Sequence, residues 1–128
     1  MRIVGGRITA RTLLSPSGRA TRPTSDRARQ AVFNILEHAS WRPFILPENA
    51  YVLDIFAGTG ALGLEALSRG ATDIIFIEND RAALAACQGN IDSFGVAAET
   101  RVLKMDATRL PPRPEEPRVG QACRARWA

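Results

Sequence analysis

Histidine and cysteine are nearly absent from this chain of 128 residues, which has one His38 and two widely separated cysteines, Cys87 and Cys123. So few thiols and imidazoles exclude a disulfide framework and a zinc centre, and no metal ligand set is expected. The sequence also lacks any run of about 18 apolar residues, so no membrane span is expected. Four arginines stand in the first 20 residues, but the apolar core of a signal peptide does not. The chain therefore reads as a soluble cytoplasmic protein. Lysine is scarce as well, because all but Lys104 of the 17 basic residues are arginine.

What is present is 45% hydrophobic content, enough for one globular core. Charge is unevenly spread. Residues 1–30 hold seven arginines against the single acid Asp26, whereas residues 31–110 hold six basic and ten acidic residues. A basic arm on an acidic body points to a polyanionic partner met through the arm. An arginine-rich coding bias would give the same count.

Residues 1–20 read as a basic hairpin or extended arm around Gly5-Gly6, closed by the turn Ser15-Pro-Ser-Gly18. Thr24 or Ser25 caps an expected helix running to His38, with Ala28, Val32, Ile35 and Leu36 at helical spacing and Phe33 beside them. Residues 21–110 then alternate strands and helices. Tyr51–Phe56 is an expected strand, apolar apart from Asp54, as in a buried parallel sheet. Helix 60–69 ends at Gly70. Asp73–Ile77 is the second strand. Asp80 caps a helix over 81–94, with Leu84, Cys87, Ile91 and Phe94 on one stripe. Arg101–Met105 is the third. This order predicts an α/β, right-handed, doubly wound parallel sheet. Residues 111–128 show no periodicity and read as a disordered proline- and arginine-rich tail.

Chemistry concentrates at the end of the first strand. Gly58-x-Gly60-x-x-Gly63 matches a nucleotide-binding turn, and Glu78 stands twenty residues past Gly58. Glycine lets the backbone turn sharply and approach a ligand. A carboxylate ending the second strand can accept from a ribose diol. Asp54 discriminates between cofactors. A dinucleotide needs a turn that accepts a pyrophosphate, and an acid there repels it. S-adenosylmethionine has no phosphate and carries a sulfonium and an ammonium, which Asp54 favours. Asp106, after the third strand, can accept from an adenine amino group. The bland alternatives are loop capping for Asp54, a solvated strand end for Glu78 and a turn cap for Asp106.

Asp54-Ile-Phe-Ala-Gly-Thr-Gly-Ala-Leu-Gly-Leu-Glu-Ala-Leu-Ser-Arg-Gly70 resembles the first motif of RsmD-type 16S rRNA (guanine-N2) methyltransferases. Arg22-Pro-Thr-Ser-Asp-Arg-Ala-Arg-Gln-Ala-Val-Phe-Asn-Ile-Leu36 is similar to that family's second signature, and Met1-Arg-Ile-Val-Gly-Gly-Arg7 to its opening. The resemblance implies the N-terminal part of a Rossmann-like class I methyltransferase domain, with about three parallel strands. It implies that Asp54, Gly58, Gly60, Glu78 and Asp106 hold S-adenosylmethionine, with Phe56, Thr59, Asn79 and Ala107 beside them. Thr24 would approach the methionine end. Arg22, Arg27 and Arg29 become candidates for contact with RNA phosphates or the cofactor carboxylate, or solvated positions on a helix face. The implied partner is ribosomal RNA or a small-subunit particle, met by a monomer in the cytoplasm.

One departure stands against this match. The family's Asp/Asn-Pro-Pro-Tyr/Phe motif, which takes the flipped guanine, is absent. Leu110-Pro-Pro-Arg113 is the only Pro-Pro pair and has neither acid nor aromatic, so no catalytic residue is assigned. The expectation is a chain truncated or frameshifted after about residue 110, with the first strand left as an apolar edge and the protein poorly soluble alone. A non-catalytic RNA-binding fragment and an NAD-linked oxidoreductase remain the alternatives.

Overall fold

The computed structural model describes residues 1–16, 24–40 and 46–110. Helix α1 spans Asp26–His38, and Ser25 caps it by accepting from the Ala28 N–H at 3.1 Å. Strand β1 (Tyr51–Ile55), helix α2 (Ala61–Ser68), strand β2 (Asp73–Glu78), helix α3 (Arg81–Phe94) and strand β3 (Thr100–Lys104) follow in order. Asp80 caps α3 through the Ala83 N–H at 2.8 Å. The strands form one parallel sheet in the order β1-β2-β3, with Asp54 opposite Phe76 and Glu78 opposite Lys104. The α/β architecture expected from the sequence is present, and the three strand ends that carry Asp54, Glu78 and Asp106 lie side by side.

The helices cover one face of this sheet. Ile74 and Phe76 pack with Leu64, Leu67, Cys87 and Ile91 in one buried cluster, to which Phe33 of α1 also belongs. Strand and helix approach closely because Gly63 has no side chain. A Cβ there would lie 2.4 Å from the Phe76 ring and 2.8 Å from Ile74. The opposite face carries Tyr51, Leu53 and Ile55, which are exposed. This corrects the expectation of a strand buried on both faces. Among the described residues, β1 is an edge strand covered on one side only.

The arm folds onto the body. Ile3 and Ala10 pair through their backbones, Arg2 bridges to Thr12, and Ile3, Ile8 and Leu13 are buried in the core. A polar lock holds it there. The fully buried Glu65 of α2 accepts from the Val4 and Gly5 N–H groups at 2.9 Å each, from Arg69 Nε at 2.9 Å and from Arg29 Nε at 3.4 Å. Glu65 thus satisfies part-buried arm backbone groups that would otherwise lack a partner.

That lock sets the rotation of α1. Arg29 and Phe33 face inward, while Val32 and Ile35 are 46% and 61% exposed. The expected stripe through Val32 and Ile35 is therefore on the outside. Counting only apolar side chains missed the arginine that belongs to the buried face.

Candidate functional site

The site is the set of strand ends around the Gly58–Gly60 turn. The β1–β2 ladder continues past β1, with the Ala57 N–H donating to the Ile77 carbonyl at 3.0 Å. The backbone then reverses through three residues with positive φ: Phe56 at 61°, Gly58 at 57° and Gly60 at 81°. At Phe56 the left-handed conformation is unusual for a bulky residue, and such strain gathers at functional sites. The residue is 68% exposed.

Two carboxylates hold the turn. Asp54 Oδ2 accepts from the Gly63 N–H at 2.9 Å, in the first turn of α2. Glu78 Oε2 accepts from the Gly58 N–H at 2.8 Å, and its Oε1 accepts from Asn79 and Asp80 at 2.9 and 3.0 Å. Glu78 therefore uses three of about four acceptor positions on the protein itself. Neither Asp54 nor Glu78 forms an ion pair with a described residue. Burial raises the Asp54 carboxyl to about 6, the Gly63 hydrogen bond opposes this, and the nearby Glu78 charge adds to it. The turn thus carries negative charge that no ion pair among the described residues neutralises.

Space beside the turn is unequal. A Cβ at Gly58 would meet nothing within 4 Å, whereas one at Gly60 would lie 2.8 Å from the Cys87 sulfur and 3.2 Å from the Phe76 ring. Gly58 faces open room and Gly60 faces the core. Burial, with Asp54 and Glu78 nearby, pushes the Cys87 thiol up to about 12, so it is inert packing.

The other predicted residues are placed as follows. Asp106 caps the short turn Ala107–Arg109 by accepting from the Thr108 N–H at 2.9 Å and its hydroxyl at 2.6 Å. These Thr108 bonds, side chain first, hold its carboxyl below the usual range. Met105 N–H donates to the Glu78 carbonyl at 3.2 Å, joining that loop to the site. Thr59 is buried, and Asn79 is exposed on the Glu78 turn. Thr24 sits just before the Ser25 cap, and its carbonyl accepts from Arg29 at 3.4 Å. No hydrogen bond joins Thr24 to the turn among the described residues.

The candidate RNA contacts separate. Arg22 lies outside the described residues. Arg27 is exposed on α1. Arg29 is fully buried, bonded to Glu65, to Asp26 at 2.8 Å and to the Arg2 carbonyl, so it cannot contact RNA from the surface. Sequence reasoning missed Glu65 and Asn90, both fully buried polar residues. The only signal for Glu65 was a single acid inside an otherwise apolar helix.

Comparison with known proteins gives the context of this geometry. The family described as conserved hypothetical protein 95 matches residues 1–119. Ribosomal RNA small subunit methyltransferase D of Escherichia coli K12 is 49% identical over 82 residues, covering 64% of this chain and 38% of that protein. YlbH of Bacillus subtilis is 34% identical over 109 residues, covering 85% of this chain and 55% of its own. The solved yhhF protein of Escherichia coli superposes with a TM-score of 0.69 at 36% identity, over 84% of this chain and 53% of that one. The chain thus spans about half the length of the relatives it matches.

Proposed function

Because the chain belongs to this family, the RsmD-type rRNA methyltransferases, we propose that it carries the methyl-donor site of an S-adenosylmethionine-dependent enzyme acting on guanine N2 of small-subunit rRNA. One observation carries the reading. Asp54 and Glu78 put two carboxylates, neither in an ion pair with a described residue, around a turn whose Gly58 opens onto free space. That charge suits a ligand with ammonium and sulfonium groups and opposes a pyrophosphate.

The residues fit the cofactor by chemistry. Asp54 would attract the methionine ammonium, and Glu78 would use its remaining acceptor position on a ribose hydroxyl. Asp106 and Ala107 would border the adenine, with Phe56, Thr59, Asn79 and Thr24 around them. When bound, S-adenosylmethionine supplies an electrophilic methyl group. The protein's part is to orient that donor, since in-line transfer depends mainly on positioning. Support for rRNA as acceptor comes from the named relatives, and for guanine N2 from the signatures at 22–36 and 54–70. Contact through the exposed Arg27, and through Arg22, fits a polyanion in the cytoplasm.

Calorimetric titration tests the site. S-adenosylmethionine should bind, NAD should not, and Asp54→Ala should remove the heat. Equal heats from both ligands, or from both proteins, would contradict the assignment. Tritium transfer to small-subunit RNA then separates the readings. Cofactor binding with salt-dependent RNA binding but no transfer favours an RNA-binding role for this chain.

A further inference from the structure

We propose that Asn90 is a positioning residue that ties the N-terminal arm to the Gly58–Gly60 turn, so that docking of the arm and binding at the turn are coupled. Asn90 lies on α3 and is fully buried. Its Oδ1 accepts from the Leu14 N–H at 2.6 Å. Its Nδ2 donates to the Leu14 carbonyl at 3.2 Å and to the Thr59 carbonyl at 3.0 Å. The amide therefore pairs with the arm backbone in both directions, as a neighbouring strand would, and gives its remaining donor to the middle of the turn. Its orientation follows from the network, because a flipped amide would set its NH₂ against the Leu14 N–H.

A second observation supports a built junction. Gly89 precedes Asn90, and a Cβ there would lie 2.9 Å from Leu14 Cδ1. The missing side chain at 89 lets Leu14 rest on α3 while 90 holds its backbone. One turn earlier, Cys87 packs on Gly60. Positions 87 and 90 of one helix thus both hold the Thr59–Gly60 peptide. The arm is anchored independently at its other end by Glu65 and Ser68. Loss of the Leu14 link therefore need not release the whole arm.

The consequence is a two-way link. Holding Leu14 fixes the amide, the amide fixes the Thr59 carbonyl, and ordering the turn in turn favours the docked arm. The cofactor part of this coupling rests on the S-adenosylmethionine reading above, while the mechanical part does not.

Two variants of the 128-residue chain separate the links. Asn90→Asp keeps an acceptor for Leu14 and loses both amide donations. Leu14→Pro removes the N–H that donates to Oδ1 and touches nothing at the turn. Arg11→Ala is the control, because it removes another arm contact to α3, to the Ser93 carbonyl, away from Asn90. Hydrogen exchange across residues 53–61 is measured with S-adenosylmethionine affinity. Both variants should speed exchange at the turn and weaken cofactor binding by about tenfold, the scale of one buried hydrogen bond. Arg11→Ala should change neither, and cofactor should slow exchange at Leu14 in the wild type. If Asn90→Asp fails to fold, Leu14→Pro decides. Unchanged exchange at the turn, or acceleration spread evenly over the chain, overturns the proposal. Faster exchange at the turn in the variants, with a wild type that binds no S-adenosylmethionine, leaves the coupling standing and removes the cofactor reading.

Discussion

Glu78 Oε2 accepts the Gly58 N–H at 2.8 Å, so the carboxylate that ends β2 clamps the turn that ends β1. The same carboxylate holds its own turn through Asn79 and Asp80. Glu78→Gln keeps the size but offers one oxygen to three donors. It should cost about 0.5–1.5 kcal/mol in stability, the net scale of a hydrogen bond to a part-buried or exposed donor, and should weaken S-adenosylmethionine binding about tenfold. Denaturant titration and calorimetry on the same protein check both numbers.

Asp54 should make stability fall as pH rises. Its folded carboxyl titrates near 6, above the ordinary value of 3.8, because it is buried and close to Glu78. Between these values the folded state holds the proton more tightly than the unfolded one. The stabilisation is therefore complete below about pH 4 and lost as pH rises through about 6. The scale is about 3 kcal/mol for a shift of about two units. Asp54→Asn should flatten this part of the melting profile and be more stable than wild type at pH 7. It should also lose cofactor affinity. In the wild type, binding should strengthen from pH 5 to 7, because a cationic ligand needs the ionised acid. Melting curves and titrations across that range provide the check.

Gly58 and Gly60 should respond differently to the same methyl group. Both have positive φ, so alanine at either costs about 1–2 kcal/mol in backbone strain. At Gly60 the added Cβ also meets Cys87 and Phe76, and overpacking adds about 1–3 kcal/mol. Gly58→Ala should fold and fail to bind cofactor, because its Cβ enters the open side. Gly60→Ala should be limited by stability. Thermal melts beside calorimetry distinguish the two.

The alternation of strands and helices was legible because apolar runs, Asp80 and the glycines are local signals. The acids at the turn were legible from spacing; the Asp54–Gly63 bond is local, and the Glu78–Gly58 bond follows from the parallel pairing of β1 with β2. The arm's burial was not legible. It depends on Glu65 meeting Val4 and Gly5 across about 60 residues. Asn90 carried no sign of its role either, since its partners Leu14 and Thr59 come from two other elements. Arg29 misled because charge suggests solvent, and only the presence of Glu65 and Asp26 makes its burial tolerable.

The bare side of β1 should make the 128-residue chain self-associate. Tyr51, Leu53 and Ile55 are 70%, 37% and 40% exposed on a strand that is an edge among the described residues. Natural edges are protected by charge, lysine above all. Leu53→Lys should lower the average mass seen by light scattering and raise solubility, without moving cofactor affinity. A wild-type chain that stays monomeric at high concentration would count against this account of the face.

Arg27 and Arg29 are two residues apart and should fail in opposite ways. Arg29→Ala leaves Glu65 charged and buried without one of its partners, and loses the bonds to the Arg2 and Thr24 carbonyls. Breaking a buried pair from one side costs about 3–5 kcal/mol. The arm's backbone groups should then exchange faster, and the fold should melt at lower temperature. Arg27 is exposed and forms no ion pair with a described residue, so Arg27→Ala should leave stability within about 0.5 kcal/mol. If it meets a phosphate, its loss should weaken RNA binding and lower the salt slope by about one charge. RNA titrations at several salt concentrations, beside melts of both variants, give the answer. A stable Arg29→Ala protein would remove the lock from this account, and an unchanged salt slope in Arg27→Ala would remove that residue from the RNA surface.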